Sequence, residues 1–299
     1  MSESVEFTKL SGSGNDFICI DGRSGRLDAV LNDGRAGPFA ALLCRRGRSV
    51  GADGLIFAVV PEIEGVADIG ARFFEPDGSE AELCGNGTAC FIYWAMVNGW
   101  VPRREVKVLT PAGVVRGHGA DGQYVRVCIP DPEGVQTDLE LEVKGERWRC
   151  DFVVAGVPHV ITWVDHVERL DVRHWGDGFR RHERFAPRGA NANFVEVLDT
   201  GRIAVRTFEF GVEDETLACG TGSAAAAILT ALRFDWPRAY LDGEAPVEIV
   251  ARSGEVLKVW FQAADDGRIA DVCLETVVRC VFNGRLCPDL VARALPPER

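Results

Sequence analysis

Cys84-Gly85-Asn86-Gly87-Thr88-Ala89 and Cys219-Gly220-Thr221-Gly222-Ser223-Ala224 decide the fold of this chain, because they are one phrase written twice. Each sets a cysteine before a Gly-x-Gly step and then small residues that open an apolar run. Upstream, Arg72-Phe73-Phe74-Glu75 lines up with Arg206-Thr207-Phe208-Glu209. Further back, Phe7 to Asp21 matches Phe152 to Asp165, with Gly14-Asn15-Asp16-Phe17 set against Gly156-Val157-Pro158-His159. The chain is therefore expected to consist of two copies of one half.

The local patterns say what each half is made of. Thr88 to Val97 is apolar on every side and stops at Asn98-Gly99, which predicts a fully enclosed helix. Ser223 to Leu232 reads the same way and stops before Pro237. Around these helices lie short β-rich runs: Phe17 to Ile20, Leu55 to Val60, Val106 to Leu109 and Tyr124 to Ile129. Val247 to Trp260 predicts a hairpin turning at Ser253-Gly254. Turn chemistry puts the expected link between halves in Asp131-Pro132-Glu133-Gly134 or in the polar stretch after it. The expected divisions are an N-terminal half 1–132, a C-terminal half 133–288 and a loose tail 289–299 containing Pro296-Pro297.

Both cysteines stand at a helix start, where unpaired N–H groups and the helix dipole favour negative charge. A thiol held there has a lowered pKa and a larger thiolate fraction. The amides of Gly85, Asn86, Gly220 and Thr221 offer a seat for an anion such as a carboxylate. Two such tips on one substrate would let one thiolate remove a proton while the other thiol returns one from the opposite face. That is stereoinversion at carbon.

Composition narrows the partners. A formal net charge of -12 over 299 residues argues against a nucleic-acid surface and against anionic membranes. There is no uncharged apolar run of about 18 residues to span a membrane, and the start Met1-Ser2-Glu3-Ser4 lacks the pattern of a signal peptide. A cytoplasmic location is expected. The ten cysteines include no C-x-x-C pair, so neither metal ligation nor a disulfide framework is expected. Cys19, Cys44, Cys90, Cys128, Cys150, Cys273 and Cys280 lie in apolar or strand-like runs and read as small core residues, and Cys287 as a terminal loop thiol.

These motifs resemble the diaminopimelate epimerase family of pyridoxal-phosphate-independent amino-acid racemases and epimerases. The resemblance runs from Phe7 to Leu286 and is carried by Gly12-Ser13-Gly14-Asn15-Asp16-Phe17, Gly51-Ala52-Asp53-Gly54, Asp77-Gly78-Ser79-Glu80, Pro158-His159, Asn191-Ala192-Asn193-Phe194 and the two cysteine phrases. It implies an α/β (α+β) chain of two pseudo-repeated halves, each a curled β-sheet wrapped around a central helix, with the active site in the cleft between them. It makes Cys84 and Cys219 the acid/base pair, with His159 assisting the thiols and Glu209 meeting the substrate ammonium. It makes Asn15 and Asn191 substrate contacts, needs no cofactor or metal, and suggests a homodimer acting on a small amino acid.

Three positions depart from the family pattern. Val157 replaces the Asn of a Gly-Asn-Pro-His segment, Glu75-Pro76 stands where an Asn precedes Asp-Gly-Ser, and Phe210 replaces the Arg of Glu-Arg-Gly. The lost Asn and Arg side chains are those that hold the far carboxylate of diaminopimelate, and phenylalanine does not replace a guanidinium fork. The expected substrate therefore lacks that carboxylate, with histidine, O-ureidoserine or a basic amino acid as candidates that suit Glu75, Val157 and Phe210. The alternative is a genuine diaminopimelate epimerase of lysine and peptidoglycan biosynthesis in which an arginine from elsewhere, such as Arg72, restores the charge. A small carboxylic acid isomerase or a non-catalytic amino-acid binding protein on the same fold stands behind both.

Overall fold

The computed structural model describes residues 4–82, 84–102, 105–119 and 122–294. Its contacts divide the chain into two units, one running to Val127 and resuming at Val277, the other from Cys128 to Thr276.

The first unit opens with the hairpin β1 (Glu6–Gly12) and β2 (Asn15–Asp21), closed by the pair Gly12 and Asn15. Two short helices, α1 (Asp28–Leu31) and α2 (Ala36–Leu43), lead to β3 (Gly54–Val59), parallel to β2. β4 (Ile69–Phe74) returns antiparallel and meets the two-residue β5 (Glu80–Ala81). The helix α3 (Gly85–Val97) follows, then β6 (Glu105–Thr110), parallel to β4, and the strands β7 (Gly113–Gly119) and β8 (Tyr124–Cys128).

α3 packs on β1, β2, β3 and β7, and Ala89, Cys90, Phe91, Ile92 and Ala95 in its middle are completely buried. Enclosing a Phe or Ile side chain stabilises a fold by roughly 1.5–3 kcal/mol, so an all-apolar helix is stable only inside a curled sheet. The helix stops where predicted, with Gly99 in the left-handed region at φ 71° and its N–H on the Met96 carbonyl.

The second unit repeats this plan strand for strand. β9 (Glu133–Val143) and β10 (Glu146–Ala155) form a hairpin, and β10 pairs antiparallel with β11 (Val157–Trp163), closing at Ala155 and Val157. After α4 (Val172–Arg180), β12 (Asn191–Asp199) lies parallel to β11, as β3 does to β2. β13 (Arg202–Glu209) returns to meet β14 (Asp214–Thr216), and α5 (Gly220–Arg233) follows. Then come α6 (Arg238–Leu241), β15 (Val247–Ala251), β16 (Val256–Ala263) and the 17-residue β17 (Ile269–Arg285). β15 is parallel to β13, as β6 is to β4, and β15 and β16 form the predicted Ser253-Gly254 hairpin. The copies share an ion pair as well: Arg72 binds Glu80 at 2.7 Å and Arg206 binds Glu215 at 2.6 Å.

Four sequence expectations need correction. Residues from Val277 onward group with the first unit rather than with a C-terminal half ending at 288, because the later part of β17 pairs with β1 from Val278–Gly12 to Arg285–Glu6. Part of the expected tail is a helix, α7 (Pro288–Ala294), which packs on α2 and buries Val291 in the core; Pro296-Pro297 lies outside the described residues. Cys128 and Cys273 are not reduced core thiols. They form a disulfide, because β8 pairs with β17 and sets the two side by side, with Ile129 N–H on the Val272 carbonyl at 2.9 Å. Cys280 is exposed, since the alternating burial of β17 ends at Val278.

Candidate active site

In the first unit, β5 delivers the chain to α3 so that Cys84 is its N-cap, with extended backbone at φ -131° and ψ 112°. Its Sγ accepts the Gly87 N–H at 3.4 Å, which turns one of the orphan amides of the helix start onto the sulfur. Asn86 donates from Nδ2 to Asn15 Oδ1 at 2.8 Å, and Asn15 Nδ2 donates to Asp53 Oδ2 at 3.3 Å. The Asn86 Oδ1 atom is buried and has no hydrogen-bond partner among the described residues.

Behind this pair sits an ionic scaffold. Asp16 and Asp53 exchange backbone-to-carboxylate bonds at 3.0 and 3.1 Å, Arg46 binds both, and the buried Lys9 reaches Asp16 at 2.8 Å. Burial opposes the charge on Asp16, but the hydrogen bonds from Arg46 and Lys9 outweigh it and hold the carboxyl at about 2. The two asparagines are thereby held by an ion-paired scaffold whose Asp16 stays ionised at neutral pH. Glu75 reaches solvent, yet partial burial of its carboxyl, and then the charges of Asp77 and Asp53, raise its pKa. Arg72 is committed to Glu80 and the Leu31 carbonyl, so it does not supply the guanidinium that Phe210 lacks.

In the second unit Cys219 is the N-cap of α5, also extended at φ -118° and ψ 113°, but 6% exposed. Its sulfur lies 3.7 Å from Thr221 Oγ1, and Thr221 Oγ1 lies 3.0 Å from His159 Nε2. The proton positions follow from the next partner. Thr207 donates to Asn193 Oδ1 at 2.9 Å, and Asn193 Nδ2 faces the carbonyls of Val160 and Asn191 and the Nδ1 of His159 at 3.1, 3.3 and 3.2 Å. Only an amide nitrogen can face two carbonyls, so His159 Nδ1 is an acceptor and Nε2 carries the proton. Nε2–H therefore donates to Thr221, leaving the threonine hydroxyl free to donate to Cys219. Complete burial lowers His159 to about 3, so the ring is neutral and works as a hydrogen-bond donor.

Asn191 accepts the Phe210 N–H at 2.6 Å, tying the start of β12 to the residue that follows Glu209. Val157 begins β11, and the adjoining Gly156 approaches the Thr221 methyl, with 3.7 Å left for an added Cβ. Sequence reasoning thus placed Asn15, Glu75, Cys84, Gly85 and Asn86 on the first unit, and Val157, His159, Asn191, Glu209, Phe210, Cys219, Gly220 and Thr221 on the second. It missed Asn193, although β-strand alternation sets it on the same face as Asn191. It also treated Thr221 only as an amide, overlooking the hydroxyl. The other buried thiols contrast with these caps: burial pushes Cys44 and Cys150 up to about 12, where they are inert. Among the described residues no group of three His, Cys, Asp or Glu side chains is arranged to hold a metal ion, and no helix is long and apolar enough to cross a membrane.

A family model described as diaminopimelate epimerase matches residues 7–127 and 152–268. The diaminopimelate epimerase of Aquifex aeolicus (strain VF5) is 39% identical over 293 residues, covering 96% of this chain and 99% of that protein. The diaminopimelate epimerase of Hydrogenobaculum sp. (strain Y04AAS1) is 38% identical over 296 residues, covering 95% of this chain and 99% of that protein. Among solved structures, a probable proline racemase from Agrobacterium radiobacter K84 superposes with a TM-score of 0.70 at 15% identity, covering 95% of this chain and 93% of that one. The last of these speaks to the fold alone.

Proposed function

Because the chain belongs to the diaminopimelate epimerase family and is an isomerase of the racemase and epimerase class, we propose that it inverts the α-carbon of diaminopimelate with Cys84 and Cys219 as its two acid/base groups. The observation that carries this is the matched pair of cysteine N-caps, each an extended residue at the start of a buried helix. One cysteine, as thiolate, takes the α-proton while the C–H electron pair stays on the α-carbon as a carbanion. The other cysteine, as thiol, gives its proton to the opposite face and becomes the thiolate for the reverse reaction. The amides of Gly85, Asn86, Gly220 and Thr221 seat the α-carboxylate, and Glu209 takes the α-ammonium. No cofactor enters the scheme.

The names of the relatives favour diaminopimelate over the substrates without a distal carboxylate expected from the sequence. Val157, Glu75 and Phe210 remain the basis of that second reading, and competition with histidine or a basic amino acid separates the two. The deciding experiment is incubation with LL-diaminopimelate in D₂O, followed by mass spectrometry and chiral analysis. Deuterium should enter the α-position as the meso isomer appears, and Cys84→Ala and Cys219→Ala should each lower inversion by about 1000-fold or more. Exchange that survives in either alanine variant together with full inversion sinks the two-thiol scheme.

A further inference from the structure

Resting on the epimerase reading above, we infer that Arg188 is the specificity-determining residue that binds the distal carboxylate of the substrate, in place of an arginine at position 210. A substrate with two carboxylates must find a cation for the one that is not undergoing inversion, since a carboxylate taken from water unpaired costs several kcal/mol. The second unit has many guanidinium groups beside the segment from Glu209 to Thr216, but they are committed. Arg173 holds Asp214 at 2.6 Å, Arg180 and Arg181 share Glu213 at 3.0 and 2.8 Å, and Arg206 and Arg252 meet Glu215 at 2.6 and 3.6 Å.

Arg188 differs from all of them. Its side chain is exposed and makes no ion pair or hydrogen bond among the described residues, and its guanidinium carbon lies 5.9 Å from the centre of the Phe210 ring. A free guanidinium is thus present beside residue 210 after all, held on a neighbouring loop instead of on the residue itself. Phe210 is one of the residues the sequence assigns to the substrate, and its N–H is tied to a second, Asn191.

The loop that carries it is built rather than loose. Arg180, itself 9% exposed, donates from Nη1 to the Arg188 carbonyl at 2.9 Å and lays its guanidinium over the Phe210 ring at 4.1 Å. The next residue, Gly189, bonds its N–H to the Phe185 carbonyl at 2.7 Å and has φ 78°; a Cβ there would meet Arg180 Nη1 at 2.0 Å. The peptide that follows Arg188 is thus pinned at both its carbonyl and its N–H, while the guanidinium has no ion-pair or hydrogen-bond partner among the described residues. In a chain of net charge -12, that combination suits a carboxylate ligand.

The test compares diaminopimelate with lysine, which shares the distal ammonium but lacks the second carboxylate. Arg188→Ala should lower kcat/KM for diaminopimelate by about 100-fold, mostly through KM, while changing α-deuterium exchange into lysine by less than about threefold. Arg188→Lys should fall between wild type and alanine, because a point charge replaces a fork. Adding Phe210→Arg to the Arg188→Ala variant should recover activity on the diacid. The inference is overturned if Arg188→Ala leaves diaminopimelate turnover within about threefold of wild type, or weakens both substrates equally. It is also overturned, with the epimerase reading intact, if wild type exchanges lysine but not diaminopimelate. Absence of exchange into any α-amino acid defeats the epimerase reading itself. Calorimetric binding of meso-diaminopimelate then decides for Arg188, and equal affinity in wild type and Arg188→Ala overturns its role.

Discussion

The tips of α3 and α5 start from the same phrase and solve the same problem with different chemistry. At α3 the residue two beyond the cysteine is Asn86, which reaches Asn15 and, through it, the ion-paired cluster of Asp53, Asp16, Arg46 and Lys9. At α5 the equivalent residue is Thr221, which reaches the neutral His159 and, behind it, the neutral amide of Asn193. The Cys84 sulfur is stabilised by a backbone amide, and the Cys219 sulfur by a hydroxyl that an imidazole orients. A duplicated fold conserves where a thiol is placed, while the polar support behind each copy is free to diverge.

The sharpest way to break this comparison is steric. The glycines three residues past each cysteine are not equivalent: a Cβ on Gly222 would stand 2.4 Å from Asn193 Oδ1, whereas one on Gly87 would stand 3.3 Å from Cys84 and Phe17. Gly222→Ala should therefore destabilise by about 1–3 kcal/mol and Gly87→Ala by less than about 1 kcal/mol, read from urea unfolding. Equal losses would mean that the amide of Asn193 is not fixed as described.

Next in size is the hydroxyl link. Thr221→Val should lower kcat/KM about tenfold or more, equally in both directions because the equilibrium constant is unchanged, and Thr221→Ser should restore most of it. It should also slow alkylation of Cys219 by iodoacetamide without slowing that of Cys84, as peptide mapping would reveal. A valine variant with wild-type rates removes the relay from the mechanism.

The smallest effect is one of pH. His159 in the fold titrates near 3, below the usual histidine value of 6.5, so the folded protein binds a proton less readily than the unfolded chain. Stability from this group is complete above pH about 6.5 and is lost progressively as pH falls toward 3. Between pH 7.5 and 5.5 wild type should lose about 1 kcal/mol more than His159→Gln, and parallel profiles would count against a buried neutral ring.

How much of this was legible in the sequence depended on whether the signal was local. The enclosure of α3 and α5 could be read from runs with no polar face, and the Ser253-Gly254 hairpin from its turn residues. The Cys128–Cys273 disulfide could not, because its partners are 145 residues apart and meet only through strand pairing. Asn193 was within reach of a period-two reading of β12. Arg188 was not, since among 33 lysines and arginines the sequence does not say which ones lack a partner.

The course of β17 bears on how the protein is made. β1 lies between β2 and the last residues of β17, which are separated from it by most of the chain. On the ribosome, β1 waits with an open edge until the final tens of residues emerge, while the whole second unit, from Cys128 to Thr276, is synthesised in between. The unit encoded first is thus the one completed last, and a chain truncated at Val277 loses the partner strand of β1 rather than a dispensable end.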